Sequence, residues 1–163
     1  LYYPDGKTHD QEGFFKNDQQ DGKWFYYHQN GVLSGREIYE DGLLTDAEYW
    51  NEDGSPLKDI SMAVREKASF PTGDAEVDKF VQKNIELPDE VIKKRITGKT
   101  VVSFWVEPDG SLTEPKIMLS LHPELDEAVF KVLDKMPKWI PAKQHNRLIR
   151  SKFTMPVTIT LRK

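Results

Sequence analysis

The sequence contains no cysteine. Disulfide frameworks, thiolate nucleophiles and cysteine-bound metals are thereby excluded, while the redox compartment stays open. No apolar run approaches the ~18 residues that cross a bilayer, so no membrane-spanning helix is read here. Histidine is scarce and scattered: His9, His28, His122 and His145 have no carboxylate at ligand spacing, and no metal site is expected. P-loop, dinucleotide-binding and nucleophile motifs are missing too, so neither an enzyme nor a cofactor is expected. Asp126 and Glu127 are neighbours on a helix and point different ways, as ordinary partners of the helix dipole do. The basic stretch "HNRLIRSK" (145–152) brings Arg147, Arg150 and Lys152 without interleaved aromatics, a poor nucleic-acid footprint. Nucleic acid and small-molecule substrates are therefore not expected as partners.

What is present is unevenly distributed. Residues 1–60 hold five Lys+Arg against thirteen Asp+Glu, a balance of −8, and eleven of the eighteen aromatic residues. Residues 61–163 hold eighteen against fourteen, a balance of +4. Two halves so different in charge and aromatic content read as two domains, over 1–57 and 69–163, joined by a linker at 58–68.

The first half repeats. "YYPDGK" (2–7), "YYHQNGV" (26–32) and "YWNEDGS" (49–55) are one motif written three times, with Tyr2, Tyr26 and Tyr49 spaced 24 and 23 residues apart. A fixed period of this size indicates stacked units. Each reads as an aromatic strand, an Asn/Asp-Gly turn and a second strand. The pattern resembles MORN-type repeats and implies an antiparallel β array over about 1–57. Beginning at Leu1 in mid-motif, the sequence reads as a piece whose upstream part lies outside it.

The second half reads α-α-β-β-α-β. Asp74 is placed to cap a first helix that buries Val77, Phe80 and Val81, and Pro88 opens a second short one. "GKTVVSFWVEPDGSLTEPKIMLS" is a hairpin turning at Pro108-Asp109-Gly110. Leu125, Ala128, Val129, Val132, Leu133 and Met136 form one apolar helix face, begun by Pro123 and stopped by Pro137. His122 stands at the start of that helix. An extended connector, "PKWIPAKQHNR", leads to a closing strand in which Phe153, Met155, Val157, Ile159 and Leu161 alternate with polar residues. A helical crossover puts this last strand beside the first, in sheet order 2-1-3, as an edge. An edge tolerates Pro156 if its missing N–H faces outward, alongside residues 154, 158 and 160.

Residues 68–161 resemble the C-terminal domain of the TonB energy transducers. The likeness is carried by Phe70-Pro71, Gly73, Asn84, Pro88, Gly98, Phe104, Val106, Gly110, Leu125, Asp126, Ala128, Met136-Pro137, Trp139, Pro141, Phe153, Pro156 and Ile159. It departs where Leu87 replaces the family's usual Tyr and where "QHNR" replaces a Gly before the final strand. The resemblance implies a non-enzymatic periplasmic module that an upstream helix anchors to the inner membrane, beside a complex driven by the proton gradient. Its partner would be an N-terminal peptide of an outer-membrane transporter, added as a strand to the last strand of the sheet. The expected contacts are Lys152, Phe153, Thr154, Val157, Thr158, Ile159, Thr160 and Leu161, with pairing favoured beyond Pro156 and with Arg147, Arg150 and Trp139 as auxiliaries. Two other readings stay open. One is a cell-envelope adaptor that binds through the repeats; the other is the extracytoplasmic tail of a membrane sensor-peptidase.

Overall fold

A computed structural model describes residues 1–60, 63 and 65–161. Among them run β1 (Gln11–Lys16), β2 (Gln19–Tyr27), β3 (Leu33–Glu40), β4 (Leu43–Tyr49), β5 (Arg65–Glu66), α1 (Ala75–Asn84) and α2 (Asp89–Lys93). There follow β6 (Gly98–Val106), β7 (Leu112–Leu119), α3 (Pro123–Lys135), β8 (Ala142–Gln144), β9 (Arg147–Ile149) and β10 (Ser151–Ile159). The chain folds as two compact units, Leu1–Glu66 with Lys143–Leu148, and Lys67–Ala142 with Ile149–Lys163. Ser61, Met62 and Val64 of the expected linker lie outside the described residues.

The first unit is an antiparallel meander in the order β1-β2-β3-β4. Two of its hairpins close through pairs of residues at positive φ, Asn17-Asp18 and Asp41-Gly42. That backbone matches the right-handed twist of the flanking strands, and Asn, Asp and Gly adopt it at least cost. One face of the sheet buries Trp24, Tyr26, Glu37 and Tyr49. The Trp24 ring lies over the backbone at Gly13, where a Cβ would sit only 2.2 Å from it, and its Nε1 donates to the Phe14 carbonyl at 3.1 Å.

The expected extended connector is instead a hairpin. β8 pairs with β5 on one side and β9 on the other, and the turn between them holds His145 and Asn146 at φ 52° and 57°. The turn belongs to the first unit although the sequence places it in the second domain. His145 stacks on Tyr26, and the Asn146 Nδ2 donates to the Trp50 carbonyl at 2.8 Å. Arg147 ion-pairs with Asp10 and donates to the Asp10 carbonyl at 2.8 Å. A turn that satisfies buried polar groups at three consecutive residues is fixed in place by them, since each would be costly to leave unpaired.

The second unit is a three-stranded antiparallel sheet in the order β10-β6-β7, with α1, α2 and α3 sharing its core. α3 buries Leu125, Ala128, Val129, Val132 and Leu133. The His122 ring accepts from the Glu124 amide at 3.3 Å and caps the helix. Asp74 precedes α1 without capping it; its carboxylate accepts from the Phe70 amide at 3.2 Å. The Leu87-Pro88 step leads into α2, which buries Val91 and leaves Ile92 half exposed.

Candidate functional site

β10 is the outermost strand on its side of the sheet. It pairs with β6 in unbroken antiparallel register over nine residues, from Ser151↔Val106 to Ile159↔Gly98. Met155, Val157 and Ile159 are buried, while Lys152, Thr154, Pro156 and Thr158 are exposed. Residues of one parity in an antiparallel strand direct both N–H and C=O to the same side. Thr158 marks which side is outward, because its carbonyl accepts from the Gln82 Nε2 of α1 at 2.8 Å. Pro156 shares that parity, so the donor it lacks is one the β6 ladder does not need.

The opposite edge is shaped differently. β7 shows two register shifts against β6, contains Pro115, and holds Glu114 at φ 49°. Bulges and proline on an edge discourage pairing with another chain. Of the two margins, β10 is the regular one.

A groove of about 770 Å³ runs beside the end of β10. Its walls are Thr158 and Ile159 from the strand, Thr160 and Leu161 just past it (the strand, expected to run to Leu161, ends at Ile159), Asp78 and Gln82 from α1, and the apolar side chains of Ile85, Leu87 and Ile92. Ile92 is 50% exposed, an apolar surface with no described residue over it. Thr158 thus combines an outward-facing backbone with an apolar wall beside it. The reading of the sequence missed the wall. The i, i+4 spacing of Asp78 and Gln82 says that they share a helix face, but not which strand that face meets.

The auxiliary residues lie elsewhere. Trp139 is 2% exposed and packs edge-on against Phe70, Phe104 and Phe153, so it plugs the core instead of recognising a partner. Its amide donates to the Gly110 carbonyl at 2.8 Å. Arg147 is committed to Asp10 in the first unit, where its guanidinium also donates to the Tyr3 hydroxyl. Arg150 lies 4.1 Å over the Trp105 ring and ion-pairs with Glu107 and Glu114. The hydrogen bond from Thr113 is the largest influence on the Glu107 carboxyl; burial opposes it, and with the Arg150 guanidinium the balance holds the carboxyl below the usual range. Phe153 faces inward against Phe104 and Trp139, and by its parity its backbone N–H and C=O address β6, so it offers nothing to the outer margin.

This arrangement can lend backbone hydrogen bonds and an apolar wall to an extended chain. Among the described residues no group of three or more metal-ligating side chains forms. No described helix is long and apolar enough to cross a membrane.

Residues 83–161 match the family model of the Gram-negative bacterial TonB protein C-terminal. This stretch is similar to the TonB C-terminal domain. The match contains β6, β7, α3 and β10, the whole sheet of the second unit, and begins within α1. Two solved structures are similar to the chain, both NMR solution structures of the Helicobacter pylori TonB C-terminal domain. One is 19% identical, covers 55% of this chain and 94% of that one, with a TM-score of 0.39. The other, a longer piece, is 20% identical and covers 55% and 80%, with a TM-score of 0.40. No match was found among curated proteins.

Proposed function

We propose that the TonB-like module grips an extended peptide of an outer-membrane transporter by strand addition to the outward margin of β10, at Val157–Leu161. The observation that carries this reading is the regular outermost strand beside an apolar groove. Main-chain hydrogen bonds make such a grip tolerant of sequence, and side chains at alternate positions of the guest meet the wall. Several ladder bonds loaded together suit a protein that transmits force. Pro156 interrupts the outward row of donors, so the guest ladder ends there and does not extend to Lys152–Thr154. The module works in the periplasm, tethered to the inner membrane by a segment upstream of Leu1, and the energy comes from the proton gradient. The first unit is read as MORN-like repeats that hold the turn at His145–Arg147.

The test is a titration of the isotope-labelled chain, residues 1–163, with short synthetic peptides that tile the N-terminal segment of an outer-membrane transporter. Amides of 157–161 are expected to shift while those of β1–β4 stay in place. Shifts confined to β1–β4 would instead make the repeats the binding surface and the protein an adaptor.

A further inference from the structure

The Thr158 carbonyl, the outward acceptor nearest to Pro156 on its C-terminal side, is already occupied. Gln82 reaches from α1 and donates to it at 2.8 Å, from a position exposed to solvent. A guest strand needs that same carbonyl. Its first N–H beyond Pro156 and the Gln82 amide cannot both use the in-line lone pair and lie in the same groove, because Gln82 also lines the groove.

We infer that Gln82 is a displaceable latch on the edge of β10. In the free protein it occupies the Thr158 acceptor and stands across the path of an added strand; on binding it swings away and frees that acceptor for the guest. The inference rests on the strand-addition reading above and adds to it a residue that sets the threshold for binding. Three observations carry it. The bond links a side chain to backbone across 76 residues of sequence, so it joins α1 to the strand margin and is not a local turn contact. It is solvent-exposed, so water readily replaces it and opening is undemanding. It falls on the C-terminal side of Pro156, the stretch that retains outward N–H groups, whereas Pro156 itself already blunts its own position. An unprotected regular edge invites pairing with copies of the same chain. A side-chain latch protects the edge while leaving it usable.

Gln82→Ala and Gln82→Leu remove the donor, the second with similar bulk retained, and both place good helix formers on an exposed helix position. The wild-type chain and both variants are titrated with the same transporter peptides, and the Ile159 amide is followed as a reporter of the Thr158 carbonyl. Without peptide, the Ile159 resonance is expected to move in both variants. With peptide, both are expected to bind roughly two- to tenfold more tightly, the worth of one hydrogen bond no longer broken on binding. Unchanged or weaker binding in Gln82→Ala, with 157–161 still shifting, overturns the latch and leaves the strand-addition reading intact. If no peptide shifts 157–161 in any variant, the strand-addition reading falls and takes the latch with it. Dilution-sensitive broadening at 157–161 in Gln82→Ala would make the occupant a second copy, and that outcome overturns the transporter peptide as the guest.

Discussion

His145 lies flat on Tyr26, their ring centroids 3.6 Å apart and their planes 6° from parallel, and its Nδ1 stands 2.6 Å from Glu37 Oε1. The carboxylate only accepts, so Nδ1 carries the proton. Glu37 is fully buried and takes two more hydrogen bonds, from the Tyr39 hydroxyl at 2.6 Å and the Tyr49 hydroxyl at 2.5 Å. A buried carboxylate persists only where donors surround it, and here β3, β4 and the β8–β9 turn all supply them. Glu37→Ala would strand two tyrosine hydroxyls and the His145 N–H. The expected loss is roughly 2–5 kcal/mol of stability in the first unit, read as a lower urea midpoint. Glu37→Gln, which keeps the shape and part of the bonding, should lose less.

The same cluster sets a pH dependence. Burial pushes the Glu37 carboxyl up, but hydrogen bonds from His145, Tyr39 and Tyr49 outweigh it and hold its pKa below the ordinary 4.5. The unfolded chain then takes up the proton more readily than the folded one, so acid favours unfolding. The contribution is complete above 4.5 and fades as pH falls through the lower folded value. His145→Ala removes the largest of the lowering influences, so acid unfolding of the first unit should begin at a higher pH than in wild type. An onset that does not move in a circular-dichroism pH titration would show that His145 does not stabilise the carboxylate. At the alkaline end, burial and Glu37 push the Tyr26 phenol up to about 12, which keeps it neutral across this whole range.

Gly110 and Trp139 make a second checkable pair. Gly110 sits at φ +85°, and a Cβ there would come within 2.2 Å of the Trp139 carbonyl oxygen. Backbone cannot step aside as a flexible side chain does, so Gly110→Ala combines a backbone strain of ~1 kcal/mol or more with a main-chain clash. Trp139→Ala empties the aromatic cluster against Phe70, Phe104 and Phe153 and should lose ~3–5 kcal/mol. Both variants should lower the melting temperature of the second unit. A Trp139→Ala variant with unchanged melting but lost peptide binding would return Trp139 to the recognition surface.

The periodic parts of this molecule were legible and the solitary contacts were not. The face Leu125–Leu133 and the alternation Met155–Ile159 are local patterns with periods of 3.6 and 2, and the buried residues fall on them. The turn chemistry of Asp41-Gly42 and Asp109-Gly110 could be read for the same reason, since two residues suffice to specify it. The destination of His145–Arg147 could not. Their partners Glu37, Asp10 and Trp50 lie about a hundred residues upstream, and one His and one Arg in a polar stretch look like solvated charges. Glu37 itself sits in "EIYEDG", where a buried carboxylate and an exposed one are written alike. Trp139 between two prolines reads more often as a core plug than as a recognition residue, and its three aromatic neighbours decide for the plug. At the margin of β10, the strand was visible in the sequence but the groove was not. Ile85, Leu87 and Ile92 belong to two separate segments that only the packing of the second unit brings to Thr158–Leu161.

Pro156 gives the last prediction. It lies opposite Val101 in the β10–β6 register, exposed, with its ring nitrogen on the outward side. Pro156→Thr restores a donor there and makes the outward row of Thr154, residue 156, Thr158 and Thr160 continuous. Two consequences pull in opposite directions. The unfolded chain regains conformational freedom, which lowers stability by about 0.4–1 kcal/mol. The edge meanwhile becomes a longer template, so guest peptides should pair further toward Lys152 and the chain should begin to self-associate. In peptide titrations, amide shifts are then expected to spread from 157–161 to include 153–155, with sedimentation velocity showing concentration-dependent growth absent from the wild type. If the added donor changes neither the reach of the shifts nor the self-association, Pro156 does not set the limit of pairing and the boundary must come from the α1 side of the groove.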